Sequence, residues 1–180
     1  MLNGVDMLPE NALEHMSRYW DRCRHLFAES DYPLAAFCAI TLIEEVGKIP
    51  MLTLGDSQRE SAPNGFRRHE TKHASAVQTT LTVNARVSRI YGENAKRFAD
   101  WHHNGDLPRI RNAALYMELD GGAIVTPTEK LSRETSFLLV CFAGEMLAEI
   151  QGFMTGTGPD EWQDILSQVD EFRQKYEPAV

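Results

Sequence analysis

Apolar residues recur at helical spacing through most of the chain, and the most apolar stretch lies between Leu34 and Lys48. Its first ten residues carry no charge, and Glu44 and Glu45 follow directly after them. Because a helix that is apolar on all sides is normally surrounded by other elements, this pattern predicts a central helix. Lys48 follows Glu44 by four residues and Glu45 by three, so it can pair with either carboxylate. Charges in such a neighbourhood need partners, since an unpaired buried charge is costly.

Helical spacing continues on both sides of this stretch. Asp31 is placed to cap the central helix, and Gly92 is expected to end or kink another. Convincing strand patterns are missing, with residues 122–125 as the only β-like text. The pattern predicts an all-α bundle of five to seven helices in a single domain over residues 1–180. The predicted helices cover residues 9–30, 34 to about 50–55, 66–91, 94–103, 106–120, 128–154 and 160–176.

Composition places the chain among ordinary globular proteins. It has 180 residues, of which 43% are hydrophobic and 24% charged, so it can bury a core and does not fit a disordered or fibrous class. Its formal net charge of −8 argues against coating nucleic acid through a general surface field. A local basic patch is still allowed.

The cysteines and the lack of targeting signals indicate a cellular compartment. Cys23, Cys38 and Cys141 have no CxxC or CxxH spacing, and we interpret them as buried free thiols of a cytosolic protein. The N-terminus lacks a basic region followed by an apolar run, and no uncharged run approaches the ~20 residues of a membrane span. We therefore expect a soluble, cytoplasmic protein with no membrane partner.

Three polar clusters compete as candidate sites. Each lies on a helix that is otherwise committed to packing, so the three can converge in one cleft of the bundle. The alternative is that they are solvated helix ends, which is the usual fate of charge runs. The clusters are Glu44, Glu45 and Lys48, then residues 67–73, and then residues 109–116.

A metal site is only weakly indicated. Glu70 and His73 have the Glu-x-x-His spacing of di-iron bundles, and Glu44 or Glu45 can supply another carboxylate. Such sites normally need a second Glu-x-x-His, which this chain lacks. We therefore expect no metal and no other cofactor.

Metal-independent RNA cleavage uses the residue types of these clusters. That chemistry needs a group that moves protons and a cation that steadies the charged phosphate in the transition state. An arginine followed by a histidine after four to six residues can supply both. The frame occurs at Arg68 and His73, at Arg97 and His102 and, with tyrosine in place of histidine, at Arg111 and Tyr116.

Three motifs follow one another along the chain: EEVGK at 44–48, HETK at 69–72 and RNAALYMELD at 111–120. Together they resemble the AbiV family of bacterial abortive-infection proteins, over roughly residues 10–155. That family is grouped with the helical HEPN superfamily, many of whose members are dimeric ribonucleases with an Arg-x(4–6)-His motif. The resemblance implies a HEPN-like helical fold, a homodimer and an antiphage role during infection.

The resemblance also implies roles for particular residues. Arg111 matches the HEPN arginine and would bind the scissile phosphate, and Asn112 matches the polar residue that often follows it. Tyr116 stands where an active HEPN nuclease has its histidine. This departure matters because a tyrosine hydroxyl with the ordinary pKa of about 10 is a poor general base at neutral pH.

The proton carrier therefore stays open between alternatives. Either Tyr116 is tuned by Lys48 or Arg111, or His69 or His73 supplies the imidazole, or the protein is not a nuclease. As a purely structural residue, Tyr116 would be a core ring with a tethered hydroxyl. Arg111 would pair with one of the two glutamates, which is compatible with either a structural or a catalytic role.

The remaining polar residues have supporting roles in a catalytic version. Glu44 or Glu45 would orient the base, whereas Lys48, Lys72 and Arg68 would add positive charge for binding RNA. Without catalysis, the same glutamates and Lys48 would form a buried ion network that fixes helix register.

A second functional hypothesis needs no enzyme. The same helical fold would bind a phage protein or a translation component and block it sterically. The sequence alone leaves the choice between an endoribonuclease and such an interaction module open.

Overall fold

The computed structural model of the chain describes residues 10–53, 83–154 and 159–177. These residues form a bundle of helices with one β-hairpin, so the predicted all-α class is confirmed. Within these ranges, no helix is long and apolar enough to cross a membrane. The elements are α1 (Glu10–Ala28), α2 (Tyr32–Thr53), α3 (Val83–Tyr91), α4 (Glu93–His103), α5 (Asp106–Ala113), β1 (Glu118–Asp120), β2 (Ala123–Val125), α6 (Pro127–Lys130), α7 (Arg133–Met154) and α8 (Pro159–Tyr176).

The central helix is α2, as its apolar run predicts. Ala39 and Ile40 are fully buried because α2 packs against both α1 and α7. At the start of the helix, the backbone N–H of Leu34 donates to Asp31 Oδ1 at 3.3 Å, so the expected cap is present. The helix ends at Thr53, within the predicted range.

A second apolar helix, α7, shares the centre of the molecule with α2. Every residue from 136 to 148 is buried, where α7 packs against α1, α2 and α8. The approach of α1 is so close that a Cβ at Gly144 would lie 2.5 Å from Trp20 Cη2. Phe27 lies among these helices, with ring centroids 6.1 Å from Phe137 and 5.2 Å from Phe172. These four helices form most of the core.

The sequence prediction is wrong between residues 114 and 120, where a helix was expected, whereas the β-like text at 122–125 contains β2. The predicted helix ends at Ala113, and β1 then pairs antiparallel with β2, with Leu119 opposite Ile124. Gly121 and Gly122 make the turn with φ angles of 55° and 87°, which glycine adopts without a steric penalty. From sequence alone, this Gly-Gly pair indicated the end of a helix.

The long helix predicted over residues 128–154 is divided into α6 and α7. Leu131 is extended, with φ −104° and ψ 114°. Ser132 Oγ then accepts the backbone N–H of Thr135 at 3.1 Å and caps the start of α7. Gly92, with φ 53°, separates α3 from α4 as expected. The described residues thus hold eight helices, one more than the upper end of the predicted range.

The three cysteines are free thiols, as predicted. Cys23 and Cys141 are buried, whereas Cys38 is half-buried. Burial raises the pKa of each of these thiols, because it disfavours the charged thiolate.

Candidate functional site

The polar end of α2 carries the first part of the candidate site. Glu44 is only 4% exposed, because it directly follows the apolar turns that hold α2 in the core. Lys48 Nζ lies 2.5 Å from Glu45 Oε1, and both side chains are about a quarter exposed. Of the two carboxylates that Lys48 could reach from its sequence position, it pairs with Glu45, at the rim of the site.

Arg111 of α5 supplies the second part. Since α5 packs against α2, Arg111 Nε lies 3.7 Å from Glu44 Oε1, and the guanidinium carbon lies 5.1 Å from the centroid of the Phe37 ring. Nε is buried and donates no hydrogen bond to any residue of the described ranges, while 25% of the side chain remains open to solvent. The charge of Glu44 is therefore offset by a cation that still has donors to offer a ligand.

Asn112 and Tyr116 lie at the outer end of α5. Asn112 is exposed, and its backbone carbonyl oxygen accepts the backbone N–H of Tyr116 at 3.0 Å, just beyond the last helical turn. The Tyr116 side chain is 60% exposed, and its hydroxyl makes no hydrogen bond to another described residue. The alternative of a core ring with a tethered hydroxyl is therefore wrong, because the chain leaves the helix before this position.

The second predicted cluster lies outside the described residues. Arg68, His69, Lys72 and His73 all fall between residues 53 and 83, so their distances to Arg111 are not tested. The other Arg-His frame is described. Its Arg97 pairs with Glu134 at 2.6 Å and stacks on Trp101 at 5.0 Å.

A second buried carboxylate, which sequence reasoning missed, lies on α7. Glu145 is 1% exposed and accepts hydrogen bonds from Arg86 Nε at 2.9 Å and from the Tyr91 hydroxyl at 3.0 Å. Arg86 also donates to Asp170 Oδ1 at 2.9 Å. Burial raises the pKa of the Tyr91 hydroxyl, so it acts as a neutral donor. This network joins α3, α7 and α8.

The signal for Glu145 was present in the sequence. It is an isolated carboxylate in the apolar text of α7, just as Glu44 follows the apolar run of α2. A carboxylate in such a position must meet donors from other elements. The identity of those donors depends on long-range packing, since Arg86 lies 59 residues earlier in the chain.

Glu145 and Glu44 differ in whether their arginine partner can still bind a ligand. Glu145 and three other described side chains are joined by hydrogen bonds of 2.9–3.0 Å, which is typical of a structural network. Arg111 lies farther from Glu44 and is partly open to solvent. A partly exposed guanidinium can bind an anion such as a phosphate, so the α2 and α5 pair is the better candidate for binding chemistry.

The fold and this site define a helical-bundle protein with an arginine-centred polar site. Comparison with family models identifies AbiV, a HEPN-type family, over residues 6–148. The chain therefore belongs to the AbiV family of the HEPN superfamily, a family of abortive-infection proteins. Comparison with curated proteins found no match, and comparison with solved structures found none either.

Proposed function

We propose that this protein stops phage multiplication in the infected cell by cleaving RNA at a site centred on Arg111. The observation that carries the proposal is the position of that guanidinium, which is partly open to solvent beside the buried Glu44. A carboxylate at this distance restricts the arginine without using its donors in short hydrogen bonds. Arg111 can therefore bind a phosphate through two N–H groups and offset the charge that grows on it during cleavage.

The proposed reaction needs no metal. The ribose 2′-oxygen attacks the adjacent phosphorus and loses its proton to a base, while the bond from phosphorus to the 5′-oxygen breaks and that oxygen gains a proton. The products are a 2′,3′-cyclic phosphate and a free 5′-hydroxyl. Tyr116, His69 and His73 are the candidates for moving these protons, and Glu44 or Glu45 is the candidate for orienting the base.

Other polar residues would hold the RNA. Asn112 is exposed next to Arg111 and can donate an amide N–H to a phosphate or a base. Lys48, Lys72 and Arg68 would add positive charge along the same cleft. We further propose that the protein is a cytoplasmic homodimer in which two such clefts act together, and that the single domain spans the chain.

The test compares two arginines of the same helix. Arg111→Ala is expected to lower RNA cleavage by about 10²–10³-fold, because a cation is removed from the transition state. Arg109 is the matched control, since it is 73% exposed and its ion pair among the described residues is local, with Asp106. Purified wild type, Arg111→Ala, Arg109→Ala and His69→Ala would be incubated with RNA in EDTA, and the same variants would be scored by plaque counts at equal expression.

Arg109→Ala should retain cleavage and protection, whereas Arg111→Ala should lose both. Loss in His69→Ala would assign the proton transfer to that imidazole. Full cleavage by a folded Arg111→Ala protein would contradict the ribonuclease proposal.

The second candidate function is a non-enzymatic interaction module. It is favoured by the exposure of Tyr116, because an open tyrosine ring that makes no side-chain hydrogen bond within the described ranges suits a contact surface better than proton transfer. The module would bind and block a phage protein or a translation component. It predicts that Arg111→Ala cells remain protected without RNA fragments, whereas a change at Tyr116 removes protection.

A further inference from the structure

The β-hairpin carries an unusual amount of exposed apolar surface. Four of the five exposed large apolar side chains in the described ranges lie between residues 116 and 124, and the fifth, Leu34, lies far away in sequence on α2. Exposed apolar residues that cluster in this way mark a contact surface. The four are Tyr116, Met117, Leu119 and Ile124, each at least 60% exposed.

Pairing with a further strand would stabilise the hairpin. Leu119 faces Ile124 directly across the two strands, so both side chains project from the same face. A two-stranded hairpin alone is at best marginally stable in water. The described residues supply no third strand to either edge.

The two edges of the hairpin differ in chemistry. The β1 edge is Glu118-Leu119-Asp120, in which charges flank the apolar residue. The β2 edge is Ala123-Ile124-Val125, which has neither a charge nor a proline. Proteins normally protect a free strand edge with charged residues or proline. Because β2 has neither, it is the edge that is available for pairing.

We propose that β2 pairs with β2 of a second copy of this chain, giving a four-stranded antiparallel sheet in the order β1-β2-β2-β1. This inference rests on the proposed homodimer and names its contact surface. A twofold axis at Ile124 places that side chain against its own counterpart and Ala123 against Val125, so every facing pair is apolar. Leu119 and Ile124 of both copies then form one apolar strip across the sheet.

The alternative self-pairing through β1 is disfavoured by charge. The same twofold arrangement centred on Leu119 would set Glu118 opposite Asp120 of the other copy, and facing like charges are destabilising. Lys130 Nζ lies 2.6 Å from Glu118 Oε2, an ion pair that fastens β1 to α6. A second copy therefore suits the β2 edge and not the β1 edge.

The strands alone do not complete a stable interface. A typical interface buries roughly 800 Å² per partner, more than three paired residues on each copy can supply. Tyr116 and Met117, which directly precede β1, are therefore expected to contribute. This would place the end of α5, and with it Asn112, close to the dimer contact.

Disulfide cross-linking separates the two pairings. In the β2 arrangement, the Cα atoms of residue 124 in the two copies lie about 4.5–5.5 Å apart, within disulfide reach. Residue 119 in one copy lies three strand spacings from residue 119 in the other, or ~14 Å, which is too far. Under mild oxidation, Ile124→Cys should give a covalent dimer on a non-reducing gel, whereas Leu119→Cys and wild type, which contains the three native cysteines, should not.

Sedimentation of the full-length protein gives the second readout. Ile124→Lys places like charges face to face and should shift the protein to monomer, whereas Leu34→Lys, the same change at the exposed position outside the hairpin, should leave the dimer intact. A dimeric Ile124→Lys protein, or cross-linking through Leu119→Cys in place of Ile124→Cys, would overturn the β2 pairing while leaving a homodimer in place. A wild type that is monomeric at every concentration would overturn the homodimer itself.

Discussion

Glu44 and Glu145 are buried carboxylates on the two most apolar helices, and each is met by an arginine from a peripheral helix. The role of each arginine depends on its distance from the carboxylate. Arg86 forms a 2.9 Å hydrogen bond to Glu145, whereas Arg111 lies 3.7 Å from Glu44. The first pair fastens α3 to the core, and the second leaves a cation available at the surface.

The Glu145 network gives a stability prediction. Arg86→Met should lower the free energy of unfolding by about 3–5 kcal/mol, because it leaves a buried carboxylate without its charged partner. Removing both charges in Arg86→Met with Glu145→Leu should cost clearly less than the sum of the two single changes. Urea denaturation of the single and double variants measures this coupling.

The matched control for this cycle is Arg89→Met, which removes a nearby exposed arginine of the same helix. It should change the free energy of unfolding by less than about 0.5 kcal/mol. Strictly additive effects of Arg86→Met and Glu145→Leu would show that the two side chains are not coupled.

Among the individual residues, the sequence predicted part of the candidate site. Glu44, Glu45 and Lys48 follow an uncharged run, which is a strong local signal. Arg111 was noted for its spacing from Tyr116, and its role came from the family resemblance. The pairing of Arg111 with a glutamate was one of the predicted alternatives, and the contact with Glu44 confirms it. Which of the two glutamates it meets could not be predicted, because that depends on how α5 packs against α2. Tyr116 was placed on a helix that in fact ends at Ala113, so its helical spacing from Arg111 does not hold.

Among the elements, helices α2 and α7 behave as a pair. Both are apolar on nearly all sides, both are enclosed by neighbours, and the apolar spacing predicted most of their extent. Residues 122–125 were noted as β-like, but β1 and the pairing of the strands were missed. Strands of three residues are too short to show alternation, and the Gly-Gly turn also fits a helix end.

The close approach of α1 to α7 predicts a cost for a single methyl group. Gly144→Ala should lower the free energy of unfolding by about 1–3 kcal/mol, since its Cβ would meet Trp20 Cη2 at 2.5 Å and Val169 Cγ2 at 2.6 Å. This overpacking opposes the gain of ~1 kcal/mol that alanine brings to a helix. Thermal or urea unfolding measures the balance.

Ser167→Ala on the exposed face of α8 serves as the comparison, and little change is expected there. If Gly144→Ala were as stable as wild type, the helices would have room to move apart, and the tight contact would not contribute to stability.

For the molecule as a whole, the raised pKa of Glu149 predicts a change in the free energy of unfolding with pH. Burial raises the pKa of its carboxyl above the ordinary 4.5, and the hydrogen bond from Trp162 only partly opposes this shift. The folded state therefore binds a proton more readily than the unfolded chain does. Its contribution to the free energy of unfolding falls as pH rises from the ordinary pKa through the raised one.

Glu149→Gln removes this loss of stability at higher pH, while the amide oxygen of glutamine can still accept the hydrogen bond from Trp162. The variant should melt at a higher temperature than wild type above the raised pKa, and the difference should vanish below pH 4.5. Glu171→Gln removes an equal charge from an exposed position and controls for net charge. An equal gain in both variants would mean that general repulsion, and not the environment of Glu149, sets the pH dependence.

The three native cysteines allow the opening of the core to be followed by thiol labelling. A labelling reagent attacks the thiolate, and Cys23 and Cys141 are buried with raised pKa values, so they react only when the core opens. The pKa of Cys38 is also raised, but its thiol is only half-buried, so a reagent can reach it in the folded state. A labelling time course on the unmodified chain should therefore show one early thiol and two late ones, and the late phase times the separation of α1 and α7 from the core without an introduced probe.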